Sequence, residues 1–556
     1  MSPRELLGSV ERLSRWETWL SAMTVFVVAL IVRIAAARLV VFPTPEDTAY
    51  YFGVARNLVD GRGLVSDALW SYQTPPLQLP RAAFEVWLPL PSFLAAIPMK
   101  LFGPTFAVAQ VMPILVGSLV PMLAWRVAAD LALERGLPVG RRRVLAVGTG
   151  LTAAVYLPLV LHSALPDSTM LFTALVLGAC LLMSRLIWDP RGARATDPRL
   201  LGLGLMLGLA ALTRNEAAWL ALAWVLIVVF VAEDDTPASE LVRLILIPGI
   251  VALAIFAPWA LRDWQTFGSP LPGQAVSNAF SITGLDIFAF RDPPTLSRYL
   301  AIGPAQLLEL RVQGLAHNLF NVLLFLGAPV SVIGLVALPW TGRPLALRPL
   351  LVFGTLTFLV TSLVFPVATT WGTFLHAAGP VHVLLLVSCL LALDALIVRV
   401  GRMRGWTRPV AWLGPALTVA AAALFTVAAL PGYGTQSRDV ERRYAVLGEQ
   451  MTQAGLAPGT IGPVVTDFPI WWAEAERSPA LALPDEPPGS VIGLTLAFPG
   501  TQYLVLGSDP RGLWPAILSS GIPGADCFER VNLPTPADPA DRTVVEGARI
   551  YRISCR

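Results

Sequence analysis

Two acids, Glu46 and Asp47, stand side by side directly after the first apolar stretch of the chain, in TPEDTAYYFGVARNLVDGRG. A third, Asp167 in HSALPDSTM, opens a later apolar stretch. Acids at the ends of apolar runs are candidates for chemistry, because a charge beside a bilayer is costly to keep without a use. A positioned carboxylate takes a proton from an attacking hydroxyl or amine. Arginines hold the charge of a departing anion, and four stand near these acids along the chain or at span ends: Arg33, Arg38, Arg214 and Arg262. Each acid also has a plainer reading. Thr44 and Asp47 have capping-box spacing, with Pro45 opening the helix, and Asp167 suits a helix N-cap. Arg38 and Arg262 sit where a side chain snorkels to headgroups, whereas Arg33 lies deeper and Arg214 is in the tight turn TRNEA.

The elements that position these residues are membrane spans. Of 556 residues, 55% are hydrophobic and 14% charged, and the mean hydropathy is +0.65, too apolar for a soluble fold whose charged share is about a quarter. Apolar segments approach the ~20 residues that cross a bilayer at 19–42, 105–129, 144–162, 168–188, 199–213, 216–232, 244–262, 316–338, 350–366, 373–398 and 409–431. The fold class is therefore a polytopic α-helical membrane protein of about eleven spans. The first span meets no small-residue cleavage site and reads as an anchor.

Arginines punctuate alternate loops: Arg141 to Arg143; Arg191, Arg194 and Arg199; Arg343 and Arg348; Arg399, Arg402, Arg404 and Arg408. By the positive-inside rule these loops and the N-terminus are cytoplasmic. Segment 84–101 carries Pro89, Pro91 and Pro98, which free backbone groups that lipid cannot satisfy, so it reads as an interfacial or re-entrant helix pair. Loops 43–104 and 263–315 then lie outside the cytoplasmic membrane, as does 432–556. The chain divides into a multi-span part, 1–431, and an extracytoplasmic tail, 432–556, whose β-branched runs between helical patterns predict a small α/β domain. Within 43–104, the segment from Thr44 reads as an amphipathic helix on the outer membrane surface, with Tyr51, Val54 and Leu58 on one face. Cys527 and Cys555 share the tail and are candidates for one disulfide if it is external. Arginines are dispersed rather than gathered with aromatics, so nucleic acid is not a partner.

The order of EDTAYYFGVARNLVDGRG, LPDSTM, GLMLGLAALTRNEA and PWALRDWQTFGSPLP resembles the GT-C superfamily of polyprenyl-phosphate-sugar-dependent glycosyltransferases. The likeness is to the branch of protein O-mannosyltransferases and aminoarabinose transferases. It covers roughly residues 20–400, and an external α/β tail agrees with it. It implies an inverting transfer, at the outer membrane face, from a polyprenyl-phosphate sugar donor to a protein, lipid or glycan acceptor. Asp47 would be the base, with Glu46 beside it and Asp167 as the second acid. Arg33, Arg214 and Arg262 would hold the donor phosphate. Some members hold a divalent cation and others do not, so the resemblance assigns no metal. Where relatives carry Arg-Tyr in a late external turn, this chain reads TTWGTFLHAAGPVH, which makes His376 a candidate replacement for a phosphate-binding arginine. YQTPPLQLPR resembles the relatives' PPL segment but lacks the basic residue that some place beside it. A transporter or flippase is the competing class and would show internal repeats and broken midplane spans; a non-catalytic envelope scaffold is the third.

Overall fold

The computed structural model describes residues 15–188, 194–231, 236–271, 274–406, 410–508 and 510–555. Two of the loop arginines, Arg191 and Arg408, lie outside the described residues. Seven helices are long and apolar enough to cross a membrane: Trp16–Ala37, Phe106–Glu134, Thr169–Ile187, Ala238–Phe267, Leu345–Leu363, Gly379–Met403 and Leu413–Gln453. Two bent pairs, Val139–Val155 with Leu157–Ala164 and Pro304–Phe325 with Val330–Thr341, raise the number to nine if each is one span. The remaining two expected spans are shorter helices, Arg199–Ala211 and Ala217–Val231. The chain is thus a multi-pass helical membrane protein in which every expected apolar segment is helical, while fewer than eleven helices span by length alone.

The bundle has two distinct ends. At one, Arg141 pairs with Asp394, Arg143 with Glu17, and Glu134 accepts the amides of Leu345 and Ala346. These contacts gather the arginine-rich loops. At the other end lie segment 43–104, segment 263–315 and the C-terminal region. Alkaline phosphatase fused at the C-terminus should accordingly be active, and the same enzyme fused after Arg143 inactive; activity after Arg143 would reverse the assignment of inside and outside.

We label helices α1 (Arg15–Ala37), α2 (Glu46–Val59), α3 (Thr169–Trp188), α4 (Leu413–Gln453) and α5 (Pro469–Ala475). Helix α2 differs from expectation in two ways. Its N-cap is Pro45 without a side-chain cap, so Thr44 and Asp47 form no capping box; Asp47 Oδ1 instead accepts the adjacent Thr48 N–H at 2.8 Å. Nor does the helix lie on a surface, since Thr48 to Arg56 are almost continuously buried. It is enclosed because Arg56 pairs with Glu474 of α5 at 2.6 Å, both side chains 7% exposed, while Ser92 Oγ donates to Tyr51 O from the other side. The proline-rich segment is one helix, Leu90–Phe102, rather than a pair.

The C-terminal sheet contains strands β1 (Ala68–Leu69), β2 (Val464–Thr466), β3 (Ala480–Ala482), β4 (Tyr503–Leu506), β5 (Phe528–Val531) and β6 (Arg549–Ile553). The order is β1-β3-β2-β4-β6-β5. The first four strands are parallel, and β6 is antiparallel to both neighbours. The central strands β2, β3 and β4 are buried throughout and, apart from Thr466, carry apolar or aromatic side chains, as parallel strands covered on both faces require. Two features cross the 431/432 boundary. Helix α4 runs through it with Pro431 in its interior, and the edge strand β1 comes from segment 43–104. Cys527 and Cys555 are joined in a disulfide.

Candidate active site

A cavity of about 520 Å³ opens between the bundle end and the C-terminal sheet. Its floor comes from the end of α1 and the start of α2 (Val40, Thr44, Glu46, Asp47), the bent helix at Leu157 to Leu165, and the turn around His376. Its walls carry Trp70, Trp87, Phe288, Trp371, Phe468 and Trp471. This lining of apolar and aromatic groups with a few convergent polar ones is the usual make-up of a ligand site.

The polar groups converge on His376. Its Nε2 lies 3.1 Å from Asp47 Oδ2, and its Nδ1 lies 2.7 Å from Thr169 Oγ1 and 3.9 Å from Asp167 Oδ2. Asp167 is fully enclosed, with Oδ2 3.2 Å from His162 Nδ1 and Oδ1 accepting the Thr169 N–H at 2.7 Å at the mouth of α3. Burial pushes the Asp167 carboxyl up, but the His162 hydrogen bond and the charges of His162 and His376 outweigh it and hold it below its ordinary value. Asp167 therefore stays ionised and orients the His162 imidazole without lining the cavity. Asp167 stands one residue before the N-cap position, which Ser168 holds, and meets the first amide of α3 with one oxygen and His162 with the other.

Arg214 is the arginine that lines the cavity among the described residues. Its Nε and Nη2 grip Glu216 at 3.1 and 2.7 Å, and Nη1 donates to Ser168 Oγ at 2.8 Å, beside Asp167. Glu46 faces the same space and pairs with Arg511 at 3.1 Å. Burial raises the Glu46 carboxyl, opposed by Arg511 and reinforced by Asp467 and Asp47.

The structure thus brings together Asp47, Glu46, Asp167, Arg214 and His376. Arg33 and Arg262 lie elsewhere. Arg33 is fully buried, with Nε on Ser163 Oγ at 3.1 Å and Nη1 on Ala154 O at 3.0 Å. Gly117 leaves the space for this contact, since a Cβ there would sit 2.2 Å from Ser163 Oγ. Arg262 pairs with Asp263 at 2.9 Å and stacks over Trp259 and Phe267. The residues that join the site without having been singled out are His162, Thr169 and Arg511. His162 stands five positions before Asp167 and was readable as a partner for it; Arg511 is 465 positions from Glu46 and carries no local signal.

No family model and no curated protein matches the sequence. Solved structures do match. ArnT from Cupriavidus metallidurans bound to undecaprenyl phosphate aligns over 95% of this chain and 97% of its own, at 15% identity and a TM-score of 0.52. The archaeal oligosaccharyltransferase AglB from Archaeoglobus fulgidus, in complex with an inhibitory peptide and a dolichol-phosphate, aligns over 93% of this chain and 73% of its own, at 13% identity and a TM-score of 0.53. The Archaeoglobus fulgidus oligosaccharyltransferase in complex with Zn and sulfate aligns over 91% of this chain and 71% of its own, at 16% identity and a TM-score of 0.53. The chain has the GT-C fold. The GT-C likeness spans the helical bundle and the C-terminal sheet together, because nearly the whole of this chain is aligned.

His162, Asp167 and His376 present ligand atoms all within 4.8 Å of one another. Two imidazoles and a carboxylate are a donor set that suits zinc or a similar divalent ion. All three also have protein partners at hydrogen-bond distance, as given above, so the cluster is satisfied as a network in its own right.

Proposed function

We propose that this protein is a membrane glycosyltransferase that moves a sugar from a polyprenyl-phosphate donor to a protein, lipid or glycan acceptor at the outer face of the cytoplasmic membrane, with inversion and with Asp47 as general base. The observation that carries this reading is one cavity that combines a partly exposed carboxylate, contacted by His376 and the Thr48 N–H, with an arginine and a largely apolar and aromatic lining. The ligands bound in two of the similar structures, undecaprenyl phosphate and dolichol-phosphate, support the donor class.

The steps follow from the geometry. The acceptor hydroxyl or amine attacks the anomeric carbon, the new bond to that carbon forms as the bond to the phosphate oxygen breaks, and the acceptor's proton passes to Asp47. The His376 Nε2 and the Thr48 N–H fix the carboxylate on two sides, so the remaining lone pairs face the cavity. The phosphate leaves as an anion, and Arg214 at the cavity wall stabilises the charge it gains. His376 takes its orientation from Asp47 and Thr169 and acts as a positioning residue for the base. If a divalent cation binds, His162, Asp167 and His376 would hold it, and it would supply further charge neutralisation for the phosphate.

The test is turnover. Purified protein in nanodiscs, given a panel of undecaprenyl-phosphoryl hexoses and pentoses with an envelope extract as acceptor, should release undecaprenyl phosphate from at least one of them. Consumption of none, together with no measurable binding of undecaprenyl phosphate, would sink the reading.

A further inference from the structure

Arg511 comes from the loop that follows β4 and packs against aromatic rings of the cavity wall. Its guanidinium lies 4.0 Å from the Phe288 ring centroid, 4.5 Å from that of Phe468 and 5.9 Å from that of Trp371. Those rings belong to three separate stretches of the chain, and all three line the cavity. Gly284 permits part of this assembly, because a Cβ there would sit 2.0 Å from Trp371 Nε1. Arg511 Nη1 pairs with Glu46 Oε2 at 3.1 Å. The other halves of both groups, Arg511 Nη2 and Glu46 Oε1, are buried and have no hydrogen-bond partner among the described residues.

Buried orphans of this kind cost free energy until something pairs with them. Here a donor and an acceptor of one ion pair are both left without a partner, and that combination selects among ligands. A phosphate offers acceptors only, and the Glu46 carboxylate would repel it. A sugar hydroxyl donates and accepts at once. We infer that the Glu46–Arg511 pair, inside its cage of Phe288, Trp371 and Phe468, is a specificity site that reads hydroxyl groups of the transferred sugar, separate from the phosphate-facing Arg214. This rests on the glycosyltransferase reading and refines it: the C-terminal region takes part in choosing the sugar.

Binding to the full-length protein separates the possibilities. The probes are bare undecaprenyl phosphate and its mannosyl, glucosyl, galactosyl and arabinosyl esters, followed by tryptophan fluorescence in nanodiscs. The wild type should bind at least one ester more tightly than the bare lipid. Arg511→Gln and Glu46→Gln should each weaken that ester by about tenfold or more, the loss expected for a hydrogen bond to a charged group, and leave bare undecaprenyl phosphate within about twofold. Retained bare-lipid binding shows that the variants are folded, and Arg511→Lys, which keeps the charge but not the fork, should resemble Arg511→Gln. Equal weakening of both lipids would make Arg511 a phosphate ligand and overturn the inference. So would variants that bind both lipids normally, since the pair would then only latch the C-terminal region to α2. A wild type that binds bare lipid but prefers no ester overturns the inference alone, whereas a wild type that binds neither removes the glycosyltransferase reading with it.

Discussion

Asp47→Asn should abolish most sugar transfer, by about a hundredfold or more, while the protein still inserts and still binds undecaprenyl phosphate. The substitution keeps volume and one carbonyl oxygen, so the Thr48 N–H retains its acceptor. The group opposite His376 becomes an amide, and the imidazole adapts by exchanging its proton between Nε2 and Nδ1, because Thr169 Oγ1 at 2.7 Å can either donate or accept. What disappears is basicity. The measurement is release of undecaprenyl phosphate under single-turnover conditions, with bare-lipid affinity as the control for integrity. Near-normal turnover would remove Asp47 as the base. Asp167 could not simply inherit the role: its side chain is fully buried, with both oxygens occupied by His162 and Thr169.

How much of this was legible before the structure differs from residue to residue. The helical segments were readable because an apolar run long enough to span leaves few alternatives. Three strands were readable as well, since the runs Gly462 to Val465, Gln502 to Leu506 and Arg549 to Ile553 overlap β2, β4 and β6. Strand β3, Ala480–Ala482, carries no β-branched residue, and β1 has only two residues; neither shows a period. The boundary at 431/432 followed a change in composition, yet α4 continues through Pro431 into the C-terminal region. A proline removes one helical hydrogen bond, and α4 tolerates that loss because its neighbouring turns are packed, with Leu430 and Gly434 buried. In the site, Glu46, Asp47 and Asp167 announced themselves by standing at the ends of apolar runs, and His376 by its place in the late turn TTWGTFLHAAGPVH. Arg33 was misleading for a physical reason: a charged group deep in a span is held away from the cavity by Ser163 and Ala154, which come from other stretches of the chain. Arg511 depends on tertiary folding alone, since its ring cage is assembled from segments distant in sequence.

Arg214→Gln should lower the second-order rate constant of transfer by about a hundredfold, the size of effect seen when one stabilising donor is removed from a developing anion. Unlike the Arg511 variants, it should weaken bare undecaprenyl phosphate and its sugar esters alike. Arg214 holds Ser168, beside Asp167, through Nη1 and Thr373 O, at the start of the short helix carrying His376, through Nη2 at 3.3 Å. Its loss therefore touches the positioning of the base as well as the charge. It also leaves Glu216, 7% exposed at the side chain, as a buried carboxylate without its partner, and an unpaired buried charge destabilises strongly. The variant pair that separates these effects is Arg214→Gln alone and Arg214→Gln with Glu216→Gln, which removes the stranded charge. If Arg214 serves the phosphate, the double variant should regain thermal stability and remain deficient in binding the bare lipid. Restored lipid affinity and turnover in the double variant would show that the single substitution acted through misfolding around Glu216, and the phosphate would then have to be held by another group at the cavity wall.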